Sequence, residues 1–550
     1  MTCENGFWAG GRREDLMSFH KFLIELTYLH GKRNPVAMSK DKFIAAISSS
    51  YSMTGASIYL GAGVYEGQIV PEAKVNLPLR MMNRHGLVTG ATGSGKTRTL
   101  QLLAEQLSAA GVSVFMPDMK GDLSGLAKEG TSNDKIQERA KALGVTYSPA
   151  AFPVELYSLS GKLGAQMRAT VTEFGPVLLS KILELNDVQS SVLMILFKYA
   201  DDRELPIVDL NDLKKVLNYL SEGEGAKEIK DSYGKISPAT ASTILRKIVA
   251  LEQQGVNQIF GEKSFDVEDL MGKIDGRGQV SILNVSDVQN QPAIFSTFML
   301  SLLAEIYQSM PEAGDLDKPK LVFFIDEAHL LFKDAPKAFM DQIEQVMRLI
   351  RSKGVGVFFC TQLTQDVPAT VLSQLGNRFH HVIRAFTPND VKDLKETIKT
   401  FPKTEFYDLE KQFTQLGIGQ AFITVLNEKG IPTETVVTHL TPPVSSMSPL
   451  SQQEYQQLLD HSEMFRKYKE TIDPRSAFEI LNERMQASKA AEQPAAVPAA
   501  AGRGRPQKST FEEIIASPVA KQVGKELVRG VFGMLFGTAP ARRRTTRSRW

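Results

Sequence analysis

Eight consecutive residues, Gly90, Ala91, Thr92, Gly93, Ser94, Gly95, Lys96 and Thr97, satisfy the pattern G-x-x-x-x-G-K-[ST] in full. The glycines let backbone N–H groups turn inward around phosphate oxygens, and a helix that follows points its positive end at them. Lys96 would neutralise β- and γ-phosphate charge, and the Thr97 hydroxyl would ligate Mg²⁺. With Arg98 next in line, this stretch is the candidate nucleotide site, and ATP and Mg²⁺ are its expected ligands.

A second run, Leu321–Ile325, is wholly apolar and ends in two adjacent carboxylates, Asp326 and Glu327. Asp326 is suited to bind Mg²⁺ through water, and Glu327 to polarise an attacking water, a role that a simple kinase does not need. A third apolar run, Val355–Cys360, ends in Thr361-Gln362. Open α/β sheets bind ligand at the carboxyl ends of their strands, so Gln362 is a candidate contact to the γ-phosphate or the lytic water. The alternative is a surface amide in a turn.

Three arginines compete for the part of a finger that stabilises phosphoryl-transfer charge, in cis or from a neighbouring subunit. Arg348 and Arg351 end the helical pattern before Val355, and Arg378 precedes an expected strand over His381–Ala385. Arg378 and Arg351 rank above Arg348, and surface salt bridging explains each equally well. Asp118, Lys120 and Asp122 lie at the tip of the strand after the glycine loop, where functional and structural readings carry equal weight. His329, His380 and His381 lack metal-like spacing and read as core or surface histidines.

The elements that must position these groups alternate strand and helix. His85–Val88, the glycine loop, Leu100–Ala110 and Val112–Met116 form a βαβ unit, which implies a parallel sheet. The fold class expected is α/β: a RecA-like P-loop core with a mostly parallel sheet. The pattern divides into an extension over 1–53, expected to be mobile, a short β-rich region over 54–83 and a first core half over 84–159. An α-helical insertion over 160–275 precedes the second core half, 276–440. A helical region over 441–486, a disordered linker over 487–510 and an amphipathic helix with a basic tail over 511–550 complete the chain.

Composition narrows the function classes. The 550 residues carry 64 Lys and Arg against 62 Asp and Glu, a charge of +2, which excludes a protein that coats DNA by bulk charge. The charge is uneven: residues 501–550 hold eleven basic and three acidic side chains, a local +8. Two cysteines, Cys3 and Cys360, build neither a disulfide framework nor a zinc site. No apolar run is long enough to span a bilayer and no secretory signal opens the chain, so a cytoplasmic location is expected. The 511–537 helix, with its apolar stripe and separate Lys/Arg face, either packs on the protein or a partner or lies on anionic lipid at the inner membrane.

Taken in order, Arg84–Thr97, Asp118–Gly125, Phe323–Phe332, Arg348–Gln362, Leu375–Phe379 and Arg384–Pro388 resemble the HerA/FtsK superfamily of P-loop ATPases. Within it they are most similar to the bacterial HerA-like, YjgR-type family, over a span from about Gly55 to the C-terminal helix. The resemblance implies ring assemblies, usually hexameric, that move DNA or protein through a central pore. It also implies that Lys96 and Thr97 are the Walker A pair and Asp326 and Glu327 the Walker B pair. Gln362 is then the polar sensor, and Arg378 or Arg351 the finger. The leading expectation is an oligomeric Mg-ATPase that translocates or remodels DNA; the alternative is a non-translocating ATP-driven switch or scaffold for a protein partner or a membrane.

Overall fold

The computed structural model describes residues 39–492, apart from 290 and 334–336. Most of the expected N-terminal extension, the linker beyond residue 492, the amphipathic helix and the Arg-rich tail lie outside the described residues.

One twelve-stranded sheet organises the molecule. In chain order its strands are β1 (Ser57–Tyr65), β2 (Gln68–Pro78), β3 (Gly86–Thr89), β4 (Ser113–Asp118), β5 (Val154–Ser158) and β6 (Ala165–Gln166). They continue with β7 (Val280–Asn284), β8 (Leu321–Ile325), β9 (Val355–Thr361), β10 (Asn377–His380), β11 (Gln420–Thr424) and β12 (Val436–Leu440). Their spatial order is β2-β1-β12-β11-β10-β3-β9-β8-β4-β7-β5-β6. From β10 to β6 every pairing is parallel. The 54–83 hairpin and β11–β12 extend the sheet antiparallel on the far side.

The parallel strands are buried on both faces, which is why they read as unbroken apolar runs rather than alternating ones. Phe115, Phe323, Ile325, Val357 and Phe359 face one core. Val114, Met116, Val322, Phe324 and Phe358 face the other. The helix after the glycine loop packs on the second face through Leu100, Leu103 and Leu107.

Residues 40–50, expected to belong to a mobile extension, instead form a helix, α1 (Lys40–Ser50), capped by the Ser39 hydroxyl. Phe43, Ile47 and Tyr51, spaced four apart, are fully buried against the hairpin side of the sheet. The remaining helices used below are α2 (Lys96–Ala109), α3 (Asp134–Ala142), α4 (Val171–Ile182), α5 (Asp187–Asp202), α6 (Leu210–Ser221), α7 (Pro238–Gln253) and α8 (Pro292–Ser309). They end with α9 (Lys337–Leu349), α10 (Pro388–Ile398), α11 (Gln452–His461) and α12 (Ala477–Glu492).

The expected α-helical insertion opens with two helices, α4 and α5. Asn186 opens α5 with a reciprocal cap to Gln189, which forces a break after Leu183. Helices α4 to α9 cover the first face of the sheet. The C-terminal α12 closes on α6: the buried Asp212 carboxylate accepts the Phe478 N–H at 2.8 Å, and Ala477 N–H donates to Pro206 O at 2.8 Å. Among the described residues no helix is long and apolar enough to cross a membrane.

Candidate nucleotide site

Strand β3 is buried throughout and delivers the chain to Gly90, whose φ of +145° belongs to glycine. A Cβ there would sit 2.5 Å from His381 Cβ. Close packing against the segment after β10 continues in the next residue, where Ala91 N–H donates to Val382 O at 2.9 Å. Gly95, at φ +110°, caps α2, so the helix begins at Lys96 and aims its amino end into the loop. The Lys96 ammonium folds over the loop and donates to Gly90 O at 2.7 Å and Ala91 O at 3.2 Å. Beside it, Ser94 Oγ and Thr89 Oγ1 are buried polar atoms without hydrogen-bond partners.

His381 braces the loop from behind. Its Nε2 meets Thr99 Oγ1 at 2.9 Å and its Nδ1 meets Gln420 O at 3.0 Å. A carbonyl accepts only, so Nδ1 carries the proton and Nε2 accepts from the hydroxyl. His85 shows the opposite tautomer: Nδ1 accepts the Val357 N–H at 3.1 Å, and Nε2 donates to Met347 O at 2.9 Å. Burial is the largest cause in pushing His381 down to about 3 and His85 down to about 4. The unfolded chain therefore binds more protons than the native one below pH ~6.5. Stability is fully present above that pH and falls as pH drops toward 4, by about 1.4 kcal/mol per unit for each of the two histidines. Urea unfolding at pH 5.0 against pH 7.5 checks this; equal midpoints would show that these rings are not buried neutral.

At the end of β8, Asp326 Oδ1 accepts the Glu327 N–H at 2.9 Å. The Cys360 thiol bonds the same carboxylate; burial, then the Asp326 charge, pushes that thiol well up, so it stays protonated. Strand β9 stands between β3 and β8, and its last residue pairs with Thr89, the residue before the glycine loop. Gln362 therefore emerges beside the loop.

It lines a cleft of about 470 Å³ with Ala91, Thr92, His329, Asp366, Arg384 and Asp390. His329, expected to be a bystander, belongs to this cleft, and its Nδ1 lies 3.5 Å from Glu327 Oε2.

The arginines fall differently from expectation. Strand β10 is Asn377–His380, four residues earlier than the His381–Ala385 run, because His380 and His381 are both buried and the apolar pattern continues past the strand end. Arg378 thus lies inside the strand, opposite Leu87, and its guanidinium donates to Leu375 O at 3.3 Å and Thr400 O at 2.8 Å. Arg351 lies in the 3₁₀ turn Ile350–Lys353, ahead of β9. A seven-residue strand, roughly 23 Å of chain, separates it from the Gln362 end. Arg348 ends α9 at that same remote end, exposed. The cation that reaches the cleft is Arg384, which follows the true end of β10 and is exposed. Arg384 stands inside the motif run Arg384–Pro388, and the misplaced strand hid its position.

On the other side of the loop, a second cleft of about 220 Å³ opens at Gly95 and Arg98 and is walled by Ile418, Pro442, Pro443 and Met447. The Arg98 guanidinium donates to Gln101 Oε1 at 2.7 Å and Met447 O at 2.5 Å. The two clefts meet the glycine loop at opposite ends.

The residues present fit ATP and Mg²⁺. Partnerless Ser94 and Thr89 hydroxyls surround a cationic, glycine-turned loop, and Thr97 and Asp326 offer hard oxygen donors. Among the described residues no cluster of three or more His, Cys, Asp or Glu could hold a metal ion.

A parallel sheet with a glycine loop at one strand end, a carboxylate pair at another and a polar strand end between them defines a P-loop ATPase. The model of the helicase HerA-like C-terminal family matches residues 65–543. The chain belongs to that family. It is 22% identical over 389 residues to the DNA double-strand break repair helicase HerA of Sulfolobus acidocaldarius, covering 67% of this chain and 68% of that protein. The HerA helicase of Sulfurisphaera tokodaii is 23% identical over 365 residues, covering 64% of each. The match therefore spans about two-thirds of each relative's length. The bacterial conjugative coupling protein TrwB is 14% identical with a TM-score of 0.45, over 72% of this chain and 91% of that one.

Proposed function

We propose that the protein is a Mg²⁺-dependent ATP hydrolase that works as an oligomeric motor on DNA. The observation that carries this reading is the convergence of the glycine loop, Glu327, Gln362 and Arg384 on one end of a parallel sheet in a HerA-like chain.

Phosphates bound in the loop compete with the Gly90 and Ala91 carbonyls for Lys96, whose charge they attract more strongly. Thr97 and Asp326 would hold Mg²⁺, which supplies charge neutralisation at the β- and γ-phosphate oxygens. Glu327 accepts a proton from the attacking water, and the Gln362 amide orients that water or the γ-phosphate. Arg384 is the cis cation for the developing charge. The Gly95–Arg98 cleft, apolar with a cationic rim, takes the base and ribose. Arg351, remote from its own glycine loop, acts as a finger only across a subunit boundary.

The test is the ATPase rate with and without single- and double-stranded DNA, across a salt series. A motor on DNA gives a rate several-fold higher with DNA, an effect that declines steeply between 50 and 200 mM salt. No binding and no rate change at low salt would remove the DNA reading.

One observation favours a second reading, an ATP-driven switch. Arg98, Gln101 and Glu105 project from the P-loop helix onto the 441–447 segment. Gln101 donates to Ser446 O at 3.0 Å, and the buried Glu105 carboxylate accepts the Val444 and Ser445 N–H groups, each at 2.9 Å. Nucleotide at Gly95 and Arg98 thus has a path to the C-terminal residues.

A further inference from the structure

Strand β4 ends in Asp118, a carboxylate only 3% exposed. Its Oδ1 accepts the backbone N–H groups of Lys120 at 3.1 Å, Gly121 at 2.7 Å and Asp122 at 3.2 Å, and its Oδ2 accepts that of Leu123 at 2.9 Å. Four donors on one carboxylate fix the loop, and Gly121 at φ +74° supplies its reversal. Because β4 is the direct neighbour of β8, this loop stands over the end of the strand that carries Asp326 and Glu327. Lys120 Nζ reaches to 3.7 Å from Glu327 Oε1.

Glu327 is unusual in itself. Its φ of +49° places a non-glycine residue in the left-handed region, a strained conformation for an L side chain. Its Oε2 is buried without a hydrogen bond, 3.5 Å from His329 Nδ1 on the cleft side. The carboxylate is therefore held between Lys120 on the β4 side and His329, which lines the cleft. With its side chain 56% exposed, Lys120 gains little stability from this contact. A long side chain ordered for so small a gain, on a loop held by four hydrogen bonds, serves orientation.

We propose that Lys120 is a positioning residue for Glu327. It holds Oε1 on the β4 side and leaves the buried, hydrogen-bond-free Oε2 on the side of His329, which lines the cleft, as the oxygen that accepts the proton. The inference rests on the reading of Glu327 given above. Asp118 acts one step further back, by placing Lys120.

Single-turnover and steady-state ATPase measurements on Lys120→Ala, Lys120→Arg, Glu327→Gln and the double variant test it. Lys120→Ala should lower kcat about tenfold, with KM for ATP within about twofold, because only the orientation of the base changes. Lys120→Arg should recover most of the loss. In the Glu327→Gln background, Lys120→Ala should cause no further fall, since the two residues act as one unit. Lys120→Met, which keeps the stem and loses the charge, should match Lys120→Ala; if Lys120→Ala unfolds, Lys120→Met replaces it throughout. A normal kcat in both charge-removing variants, a loss carried by KM, or equal losses in both backgrounds would overturn the proposal. Normal turnover in Glu327→Gln alone would instead overturn the role of Glu327 itself.

Discussion

Replacing Lys96 by alanine is expected to abolish ATP turnover, a fall of about a thousandfold or more. The Lys96 ammonium sits on the glycine loop, 2.7 Å from Gly90 O, and is the charge in direct reach of whatever phosphate the loop binds. At an effective dielectric of about 20, one unit charge 4 Å from another contributes about 4 kcal/mol. Each 1.36 kcal/mol in the barrier is tenfold in rate, so losing that charge alone accounts for roughly three decades. Phosphate release measures the effect directly. Lys96→Arg should not rescue it, because a planar guanidinium does not fit a site shaped for a compact ammonium within two carbonyls. Turnover within tenfold of the parent would show that the loop does not hold phosphate as its sequence implies.

The second large effect is expected from Glu327→Gln, which should keep nucleotide binding and stall hydrolysis by about 10²- to 10⁴-fold. The amide preserves the shape of the side chain and leaves the Glu327 backbone in place through the bond its N–H makes to Asp326. What it removes is a proton acceptor at the end of β8. Titration with a fluorescent ATP analogue, followed by single-turnover hydrolysis, separates the two quantities. Unimpaired hydrolysis would assign the water to another group, and His329, Gln362, Asp366 and Asp390 are among the polar side chains that line the cleft. Weak binding with a normal rate per bound nucleotide would place Glu327 in nucleotide retention instead.

These two expectations were legible without coordinates, and the reason is local. Glycine at 90 and 95 is required by positive φ, and Lys96 and Thr97 follow at the helix start, so the whole phosphate loop is written in eight neighbouring residues. Asp326 and Glu327 end a run of five apolar residues, and an all-apolar run of that length between turns is a two-sided buried strand. The parallel sheet follows from strand–loop–helix–strand order.

The assignment of cations did not follow in the same way. Arg378 and Arg384 are six residues apart in one apolar stretch, and the periodicity of that stretch does not mark where the hydrogen-bonded strand stops. Its end is set by pairing with β3, which runs out at Thr89, opposite His380. That long-range register buries Arg378 against carbonyls and leaves Arg384 in the cleft. Residues 40–50 are a similar case: a short amphipathic helix is marginal alone, and α1 exists because Phe43, Ile47 and Tyr51 find a core made from residues far along the chain.

By itself, then, the amino-acid sequence determined what depends on neighbours in the chain: the phosphate loop, the carboxylate pair, the strand and helix alternation and the family they resemble. Tertiary structure alone decided which charged groups share the site. It placed Arg384 and His329 beside Gln362, sent Arg351 to the opposite strand ends and set Lys120 against Glu327. The physical reason is that a charge acts over a few ångströms in space, and sheet order, not sequence separation, sets Lys120 3.7 Å from Glu327 and puts Arg384 in the cleft that Ala91 and Thr92 also line.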